Sequence, residues 1–357
     1  MIANRSRSAR IGCVALWLLL FAPVAAELYL TVSARMAAGD VETQRAGNVF
    51  MAARGVEEAW DESLWQPSGA YESYRPNAEL EVDIEGVRHH VKINSHGYRS
   101  AEFSVPKPAG RLRILCIGGS TTVQGRTNEL TYPAVLERLL EERFPGVDLE
   151  VVNLGVSGTQ SARWLDGELF GFEPDIVVQY NAINEIAWNH LVQYAETHPW
   201  RARFTRSRLF QKLFPLDATA LDEYYAVTIG NFVTLSRACR ERGVDYMAGT
   251  FAAPSASAAP RDFLRLLDAD ISAAWGQPMH LRYYAPFEGL IRRHNELLTR
   301  TAAETGLDRV GVDERMSDPS LFIDPCHMTP EGIEDLALAF FPAVARAVEA
   351  RLTEAGR

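Results

Sequence analysis

The segment DPCHMTPEG, residues 324–332, places a carboxylate and an imidazole just ahead of a predicted helix start. Thr329 and Pro330 are typical of a helix N-cap followed by proline in the first helical position. Asp324 and His327 therefore fall in the turn that enters the helix. A carboxylate in that position can orient an imidazole and stabilise its protonated form, which is half of a relay that activates a nucleophile. The other half must lie upstream.

Three upstream positions are candidates, because each follows a predicted strand: Ser120 in GGSTT, Gly155 in NLGVSG and Asn184 in NAINE. A serine hydroxyl is a poor nucleophile until a base removes its proton, and His327 could be that base. Taken singly, each position has an ordinary structural interpretation, as a helix cap or a turn residue. In an open parallel sheet, however, ligands bind beyond the carboxyl ends of the strands, so these side chains are expected to converge.

The elements that would position them alternate between strands and helices. Apolar segments predict four buried strands, at residues 113–119, 148–155, 175–181 and 244–251, and helical patterns lie between them, such as 132–144. This alternation predicts a parallel sheet covered on both faces, a flavodoxin-like three-layer α/β/α fold. A last amphipathic helix follows Pro330, and Pro342 is expected to kink it.

A smaller β lead-in is predicted ahead of this domain. Alternating apolar residues within 71–100 indicate a hairpin that turns at Glu85 and Gly86. A proline and glycine linker follows at 105–110, and residues 33–69 have the character of a stalk. The predicted organisation is therefore a cytoplasmic tail at 1–10, an apolar segment at 11–32, a stalk and hairpin lead-in at 33–110, and the main domain at 111–355.

The apolar segment 11–32 has two interpretations. Twenty-two residues can cross a hydrocarbon core as a helix, and the preceding Arg5, Arg7 and Arg10 favour a cytoplasmic N-terminus. Small residues at Ala25 and Ala26 also fit a cleaved signal peptide. An uncleaved inner-membrane anchor is the preferred prediction. For a bacterial source, both interpretations place the catalytic domain in the periplasm or outside the cell.

The composition excludes some classes of protein. A formal net charge of −10 argues against nucleic-acid binding, which needs a surplus of Lys and Arg. The four cysteines are far apart in the 357-residue chain and have no metal-binding or redox spacing. We therefore predict no structural zinc, no obligatory disulfide and no cofactor.

Taken in order, the GGS, NLG, NAIN and DPCH blocks resemble the SGNH hydrolase family, the GDSL-type esterases and lipases. The resemblance covers about residues 111–355, and its YRPN and NSHGYR lead-in is similar to that of membrane-anchored bacterial members. It implies that Ser120 is the nucleophile and that Asp324 and His327 complete the triad. It also implies an oxyanion hole formed by the Ser120 backbone N–H, Gly155 and Asn184, and no metal.

The chain departs from the family pattern at two blocks. The aspartate that usually precedes the serine is Gly119, and the block commonly written GxND has Ala182 and Glu185. The methyl group of Ala182 is expected to narrow or reshape the pocket. Ser157, in a near-match to a GxSxG elbow, is interpreted as a helix cap, and Cys326 as a packing residue.

The function that follows is a serine esterase working through an acyl-enzyme, with O-deacetylation of an envelope or extracellular glycan as the leading hypothesis. Two aromatic inserts, at 186–225 and 253–287, could wall the pocket or simply pack inward, and arginines of the first could meet an anionic glycan or lipid head group. A lipid-directed esterase or thioesterase, an O-acyltransferase and a non-catalytic glycan-binding module remain open alternatives.

Overall fold

The computed structural model describes residues 21–34, 65–68, 71–84, 87–354 and 356. Two antiparallel strand pairs precede the main sheet: β1 (Trp65–Ser68) with β2 (Tyr71–Tyr74), and β3 (Glu79–Ile84) with β4 (Val87–Lys92). The second pair is the predicted hairpin, and its two turn residues lie outside the described part of the chain.

The predicted apolar N-terminal segment is described only in its second half, where residues 21–34 are helical. Residues 11–20 lie outside the described part, as do the predicted tail and most of the stalk. Within the described residues, no helix has both the length and the apolar character that crossing a membrane requires.

The main sheet has five parallel strands, β5 (Leu112–Gly118), β6 (Leu149–Asn153), β7 (Ile176–Tyr180), β8 (Asp245–Gly249) and β9 (Asp308–Val310). Their order across the sheet is β6-β5-β7-β8-β9. Numbered within this sheet, that order is 2-1-3-4-5, the flavodoxin-like arrangement, so the predicted fold class is confirmed. The sequence prediction missed β9, which is only three residues long.

Ten helices connect and cover the strands in the described part of the main domain. They are α1 (Ser120–Val123), α2 (Tyr132–Arg143), α3 (Ile183–Glu185, continued by a π-helical turn Ile186–His190 and by Leu191–Thr197), α4 (Pro199–Phe204), α5 (Arg208–Leu213), α6 (Asp222–Arg240), α7 (Arg261–Asp270, continued by a π-helical turn Ile271–Trp275), α8 (Tyr284–Thr305), α9 (Val312–Arg315) and α10 (Pro330–Glu354). Short 3-10 turns occupy Asn128–Leu130, Ser161–Asp166, Glu168–Phe172, Ala218–Leu221, Gln277–Met279 and Pro319–Leu321.

One helical prediction differs from the structure. The connection from β6 to β7 contains the two 3-10 turns at 161–172 rather than an α-helix. The last helix starts at Pro330 as predicted, where the Thr329 hydroxyl accepts the N–H of Gly332 at 3.2 Å, and Pro342 lies inside it. The expected kink at Pro342 stays a prediction.

The core lies between the sheet and helices on each face, with α2 against α10 on one side and α6 against α8 on the other. Phe340 of α10 stacks on Tyr132 at 5.7 Å and meets Tyr180 edge-on at 5.9 Å. Gly249 ends β8 under the same ring, and a Cβ there would lie 2.5 Å from Phe340. Close packing of this kind makes the carboxyl ends of the strands a rigid platform.

Two buried histidines lie between α3, α6 and α8. The His190 Nε2 atom is 2.9 Å from the Thr228 hydroxyl, and the Tyr225 ring lies 5.0 Å from the His190 ring and 6.0 Å from the His294 ring. Burial lowers the pKa of His190 to about 3 and that of His294 to about 4. Both rings are therefore neutral in the folded protein at neutral pH.

These lowered pKa values predict a loss of stability in acid. An unfolded histidine has a pKa near 6.5, so below that pH the unfolded state is protonated at these two residues while the folded state is not. Lowering the pH from 7 to 5 is expected to cost about 2 kcal/mol of unfolding free energy for each histidine. Urea unfolding at pH 7 and pH 5 would measure the decrease in unfolding free energy for the wild type and for a His190→Gln/His294→Gln variant. The decrease should be about 4 kcal/mol smaller in the variant, because the carboxylates that titrate in this range are the same in both proteins. Equal pH dependence of the two proteins would contradict this prediction.

Candidate active site

Ser120 lies in a tight turn directly after β5. The two residues before it, Gly118 and Gly119, have no room for a side chain. A Cβ on Gly118 would lie 2.1 Å from the Thr122 hydroxyl oxygen and 2.5 Å from the Tyr180 carbonyl oxygen. The glycine pair therefore lets β5 pass straight into α1, with Ser120 at the first helical position. Its backbone N–H has no partner in the described part of the protein, as expected at a helix N-terminus.

The DPCH turn brings Asp324 and His327 to this serine. His327 Nε2 is 2.9 Å from Ser120 Oγ, and His327 Nδ1 is 2.7 Å from Asp324 Oδ2. The other carboxylate oxygen of Asp324 accepts the backbone N–H groups of Cys326 at 2.9 Å and of His327 at 2.7 Å. This explains the spacing of three residues, because one carboxylate both closes the turn and holds the imidazole.

The hydrogen-bond roles of the imidazole follow from its partners. Asp324 is completely buried and, as a carboxylate, only accepts hydrogen bonds, so the proton of neutral His327 belongs on Nδ1. Nε2 is then an acceptor that faces the Ser120 hydroxyl. The arrangement can remove a proton from Ser120 and stabilise the resulting imidazolium.

Asn184 approaches the serine from the end of β7. Its Nδ2 donates to the Thr159 carbonyl oxygen at 3.1 Å, which occupies one of the two N–H groups of the amide. Asn184 also explains why the residue before the serine is glycine. A Cβ on Gly119 would lie 2.6 Å from Asn184 Nδ2, so the amide fills the space that a side chain would need.

This contact predicts the effect of a small substitution. Gly119→Ala should displace the Asn184 amide and lower kcat by about tenfold to hundredfold, because misplacing a group by an ångström has costs of that size. Ester hydrolysis assays would measure it. Gly230→Ala is the matched control, since a Cβ on Gly230 meets nothing within 4 Å. A Gly119→Ala enzyme as active as the control would show that Asn184 need not lie where the structure has it.

The expected oxyanion role of Gly155 does not fit the structure. Its backbone N–H donates to Asn153 Oδ1 at 2.9 Å, so it is not free to meet a substrate. Gly158, three residues further on, is exposed and has a φ of +75°. Among residues 154–159, it is the one whose backbone N–H has no acceptor in the described part of the chain. Gly158 is therefore the better candidate for the second backbone donor.

Ser157, interpreted from the sequence as a helix cap, also has a different position. It lies in the loop between Asn153 and the 3-10 turn that begins at Ser161, and its N–H donates to the Tyr74 hydroxyl at 2.9 Å. The lead-in therefore braces the loop that carries Gly158.

Two side chains that the sequence analysis did not single out position the serine turn. Gln124 follows Ser120 by four residues, and its Oε1 accepts the Met328 N–H at 3.0 Å, which ties the serine helix to the histidine loop. Arg99, in the NSHGYR lead-in, is buried and donates to the carbonyl oxygens of Val123 at 2.8 Å and Gly125 at 2.7 Å. In the sequence, the one signal of this role was the arginine at the end of the NSHGYR motif.

The altered third block, with Ala182 and Glu185, is buried. The Glu185 Oε1 atom accepts the Ser161 N–H at 2.5 Å, and burial raises the pKa of this carboxyl. Glu185 thus links the helix of Asn184 to the loop that follows Gly158. Ala182 opens the same helix, with its carbonyl oxygen accepting the Ile186 N–H at 3.0 Å. The expected effect of its methyl group on the pocket stays a prediction.

The two inserts meet beside the histidine through a pair of tryptophans. The Trp275 ring lies 6.1 Å from the His327 ring and 6.0 Å from the Trp188 ring. Trp188 lies four residues after Asn184, in the π-helical turn that continues the same helix. Each tryptophan lies on a π-helical turn, a feature frequent at functional sites. Trp188 is 46% exposed and Trp275 is buried.

A cavity of about 190 Å³ lies on another side of His327. Most of its lining surface is apolar. It is lined by Gln124, Gly125, Arg126, Leu130, Val135, Arg138, Ile323, His327, Met328, Pro330, Glu331, Ile333 and Glu334. Groups that adjoin His327 would meet the part of a substrate that receives the proton from the histidine.

Asp324, Cys326 and His327 also place three possible metal-ligand atoms within 4.8 Å of one another. The carboxylate and imidazole of this cluster are already hydrogen-bonded to each other, which accounts for their closeness. Cys326 is fully buried with its Sγ 3.6 Å from His327 Nδ1. The position fits the expected packing role of Cys326, and the site chemistry needs no metal.

No protein-family model matches the sequence, and no curated protein matches it. Solved structures that resemble the fold include an α/β hydrolase from the Lake Arreo metagenome, at 18% identity and a TM-score of 0.40, covering 65% of this chain and 94% of that one. A carbohydrate acetylesterase family member from Sinorhizobium meliloti has 16% identity and a TM-score of 0.41, covering 67% and 99%. A GDSL-like lipase from Bacteroides thetaiotaomicron has 13% identity and a TM-score of 0.38, covering 66% and 88%. Similarities of this size carry no inference about activity.

Proposed function

We propose that this chain is a serine esterase of the SGNH hydrolase type, which hydrolyses carboxylic esters through an acyl-enzyme. The observation that carries the proposal is the continuous hydrogen-bonded chain from Ser120 through His327 to Asp324, with links of 2.9 and 2.7 Å. In the sequence, Ser120 lies 207 residues before His327, so the fold has to bring the serine to the DPCH turn. Their alignment at the carboxyl end of the sheet has no structural purpose that an apolar contact would not serve better.

The reaction follows from the atoms present. Ser120 Oγ attacks the ester carbonyl carbon while His327 Nε2 takes the hydroxyl proton. As the tetrahedral intermediate collapses, the same proton passes from Nε2 to the leaving alcohol oxygen, and the acyl group stays on Ser120. Water then attacks the acyl-enzyme while His327 Nε2 takes its proton, and that proton returns to Ser120 Oγ as the acyl–oxygen bond breaks and the acid leaves. Asp324 keeps the imidazole oriented and stabilises its charge throughout.

Three donors are available for the oxyanion of the intermediate. They are the backbone N–H groups of Ser120 and Gly158 and the second N–H of the Asn184 amide, all without partners in the described structure. Because they are held by a helix start, a loop and a helix, their orientation is set before the substrate arrives.

The tryptophan pair supports a glycan ester as the substrate. His327 must hand its proton to the leaving oxygen, so the ring next to it, Trp275, adjoins the alcohol half of the substrate. The exposed Trp188 extends this surface, and flat apolar rings suit the C–H face of a sugar. We therefore propose removal of acetyl groups from an envelope or extracellular glycan, by an enzyme anchored through its N-terminal apolar segment.

This substrate assignment predicts a selective effect of Trp188→Ala. The variant should raise KM for an acetylated oligosaccharide by about tenfold to hundredfold, since it removes aromatic surface from the site. Its rate with 4-nitrophenyl acetate, which has no sugar, should change little. Trp200→Ala serves as the control, because it removes a tryptophan that is 72% exposed and lies on α4, outside the tryptophan pair. Equal losses with both substrates would contradict a sugar platform.

A lipid-directed esterase or thioesterase is the second candidate, favoured by the largely apolar cavity beside His327. Comparing 4-nitrophenyl acetate with the octanoate separates the two, because a fast octanoate reaction would favour the lipid assignment. An O-acyltransferase would use the same acyl-enzyme with an alcohol in place of water. Transfer of labelled acetyl to an added glycan would identify that activity.

The test of the proposal itself is covalent labelling with a fluorophosphonate, which reacts with activated serines. The wild-type protein should label and Ser120→Ala should not. Folded wild-type protein that fails to label would instead favour a glycan-binding module without catalysis. Screening acetylated glycans and acyl lipids with both proteins would then identify the ester.

A further inference from the structure

Helices α4 and α5 carry a concentration of positive charge that the rest of the chain lacks. Residues 198–216 contain no Asp or Glu, in a protein whose net charge is −10. The same stretch holds five basic residues, Arg201, Arg203, Arg206, Arg208 and Lys212. We call this stretch the basic insert.

The basic insert also exposes large apolar side chains among its charges. Trp200 is 72% exposed, Leu213 62%, and Phe204 and Phe214 each 56%. The rings of Phe204 and Phe214 both contact Phe210, at 5.5 and 5.1 Å, so three phenylalanines form one cluster across the two helices. Soluble surfaces rarely gather aromatic side chains in this way unless a partner covers them.

A shallow groove in the basic insert is suited to a phosphate group. It is lined by Ala195, Pro199, Ala202, Arg203, Arg206 and His280. Arg206 Nε is 3.2 Å from His280 Nε2. Arg203 lines the same groove, and among the described residues its guanidinium makes no ion pair or hydrogen bond. No carboxylate lines the groove, so its two guanidinium groups can bind an anion.

The apolar N-terminal helix docks onto the basic insert. Glu27 accepts hydrogen bonds from the Ser207 hydroxyl at 2.8 Å and from the backbone N–H groups of Arg208 at 3.0 Å and Leu209 at 2.9 Å. The apolar side chains Phe21, Val24, Leu28 and Tyr29 of that helix are exposed. The helix that docks on the basic insert therefore also exposes apolar side chains.

We propose that the basic insert is a membrane-binding surface that rests on anionic phospholipid. Its exposed aromatic residues would enter the interfacial region, where tryptophan and phenylalanine are favoured, while its arginines and Lys212 bind phosphate head groups. Charge complementarity and the contact with the N-terminal helix support this partner. An anionic glycan could also bind the charges and stack on an aromatic ring, but it would not bury the aliphatic Leu213 and the exposed apolar side chains of the N-terminal helix as a membrane would.

The experiment measures how much of the full chain floats with vesicles of phosphatidylcholine, with and without phosphatidylglycerol. The anionic increment is the measured quantity, since the N-terminal apolar segment binds both. Arg203→Gln/Arg206→Gln/Lys212→Gln should lower that increment by about a hundredfold, from the usual contribution of each basic residue near an anionic surface. Arg237→Gln/Arg292→Gln/Arg300→Gln removes the same charge from exposed positions on α6 and α8, and should leave the increment intact.

Two further results decide between partners. Trp200→Ala/Phe214→Ala should weaken vesicle binding while leaving binding to a soluble anionic polysaccharide unchanged. Equal losses from both charge variants, no dependence on phosphatidylglycerol, or polysaccharide binding tighter than vesicle binding would each overturn the proposal. Unchanged hydrolysis of soluble 4-nitrophenyl acetate in the insert variants would verify that they are folded.

Discussion

Ser120→Ala is expected to lower kcat for ester hydrolysis by about 10⁴- to 10⁶-fold, the range seen when a triad nucleophile is removed. The hydroxyl 2.9 Å from His327 Nε2 is the atom that becomes acylated, and alanine leaves no other nucleophile in its place. Initial rates with 4-nitrophenyl acetate, measured against the uncatalysed reaction, would give the size of the loss. The small volume change should leave the thermal unfolding temperature close to that of the wild type.

The control for this prediction is the double variant Ser120→Ala/His327→Ala. Residues that act as a unit lose their effect together, so the second substitution should cost little beyond the first. Additive losses would mean that the two side chains work independently. Residual activity near the wild-type level in Ser120→Ala would place the reaction elsewhere in the molecule.

Asn184→Ala is expected to lower kcat by about 10²- to 10³-fold with little change in KM, since it removes one donor to the oxyanion. The loss should appear in kcat because the charge on the carbonyl oxygen develops only as the intermediate forms. Steady-state kinetics on one soluble ester would separate the two parameters.

Asn181→Ala is a matched control for this effect. The Asn181 Nδ2 atom donates to the same Thr159 carbonyl oxygen, at 3.2 Å against 3.1 Å for Asn184. If Asn184 merely held that loop in place, the two variants would lose activity alike. A selective loss in Asn184→Ala is the outcome expected of an oxyanion donor.

The fold was predictable where apolar segments were long enough to show the residue spacing of a strand or a helix. The four strands expected from the sequence are all present, within one or two residues of their predicted ends, as are α2 and the start of α10. The missed strand β9 has three residues, too few for alternation or a buried run to register. A helix was expected between the second and third strands, but glycines at 167 and 171 interrupt this segment, which forms only short 3-10 turns.

The candidate site was predictable in its residue types and only partly in its donors. The predicted strand ends and the DPCH turn were sufficient to predict that Ser120, Asp324 and His327 lie close together. Choosing between Gly155 and Gly158 was not possible from sequence, because it depends on whether the Asn153 side chain turns back onto the Gly155 N–H. The bracing by Gln124 and Arg99 joins segments that no local pattern connects.

Arg99 has a consequence for anyone trimming this chain to a minimal catalytic fragment. A fragment starting at residue 111 would retain every strand of the main sheet and the complete triad, yet the guanidinium that anchors the carbonyl oxygens of Val123 and Gly125 would be gone. The helix α1, which begins with the nucleophile, would then lose the hydrogen bonds that hold its C-terminal end. The segment that follows the hairpin and carries Arg99 is therefore a structural support of the serine turn as well as a connection to the main domain.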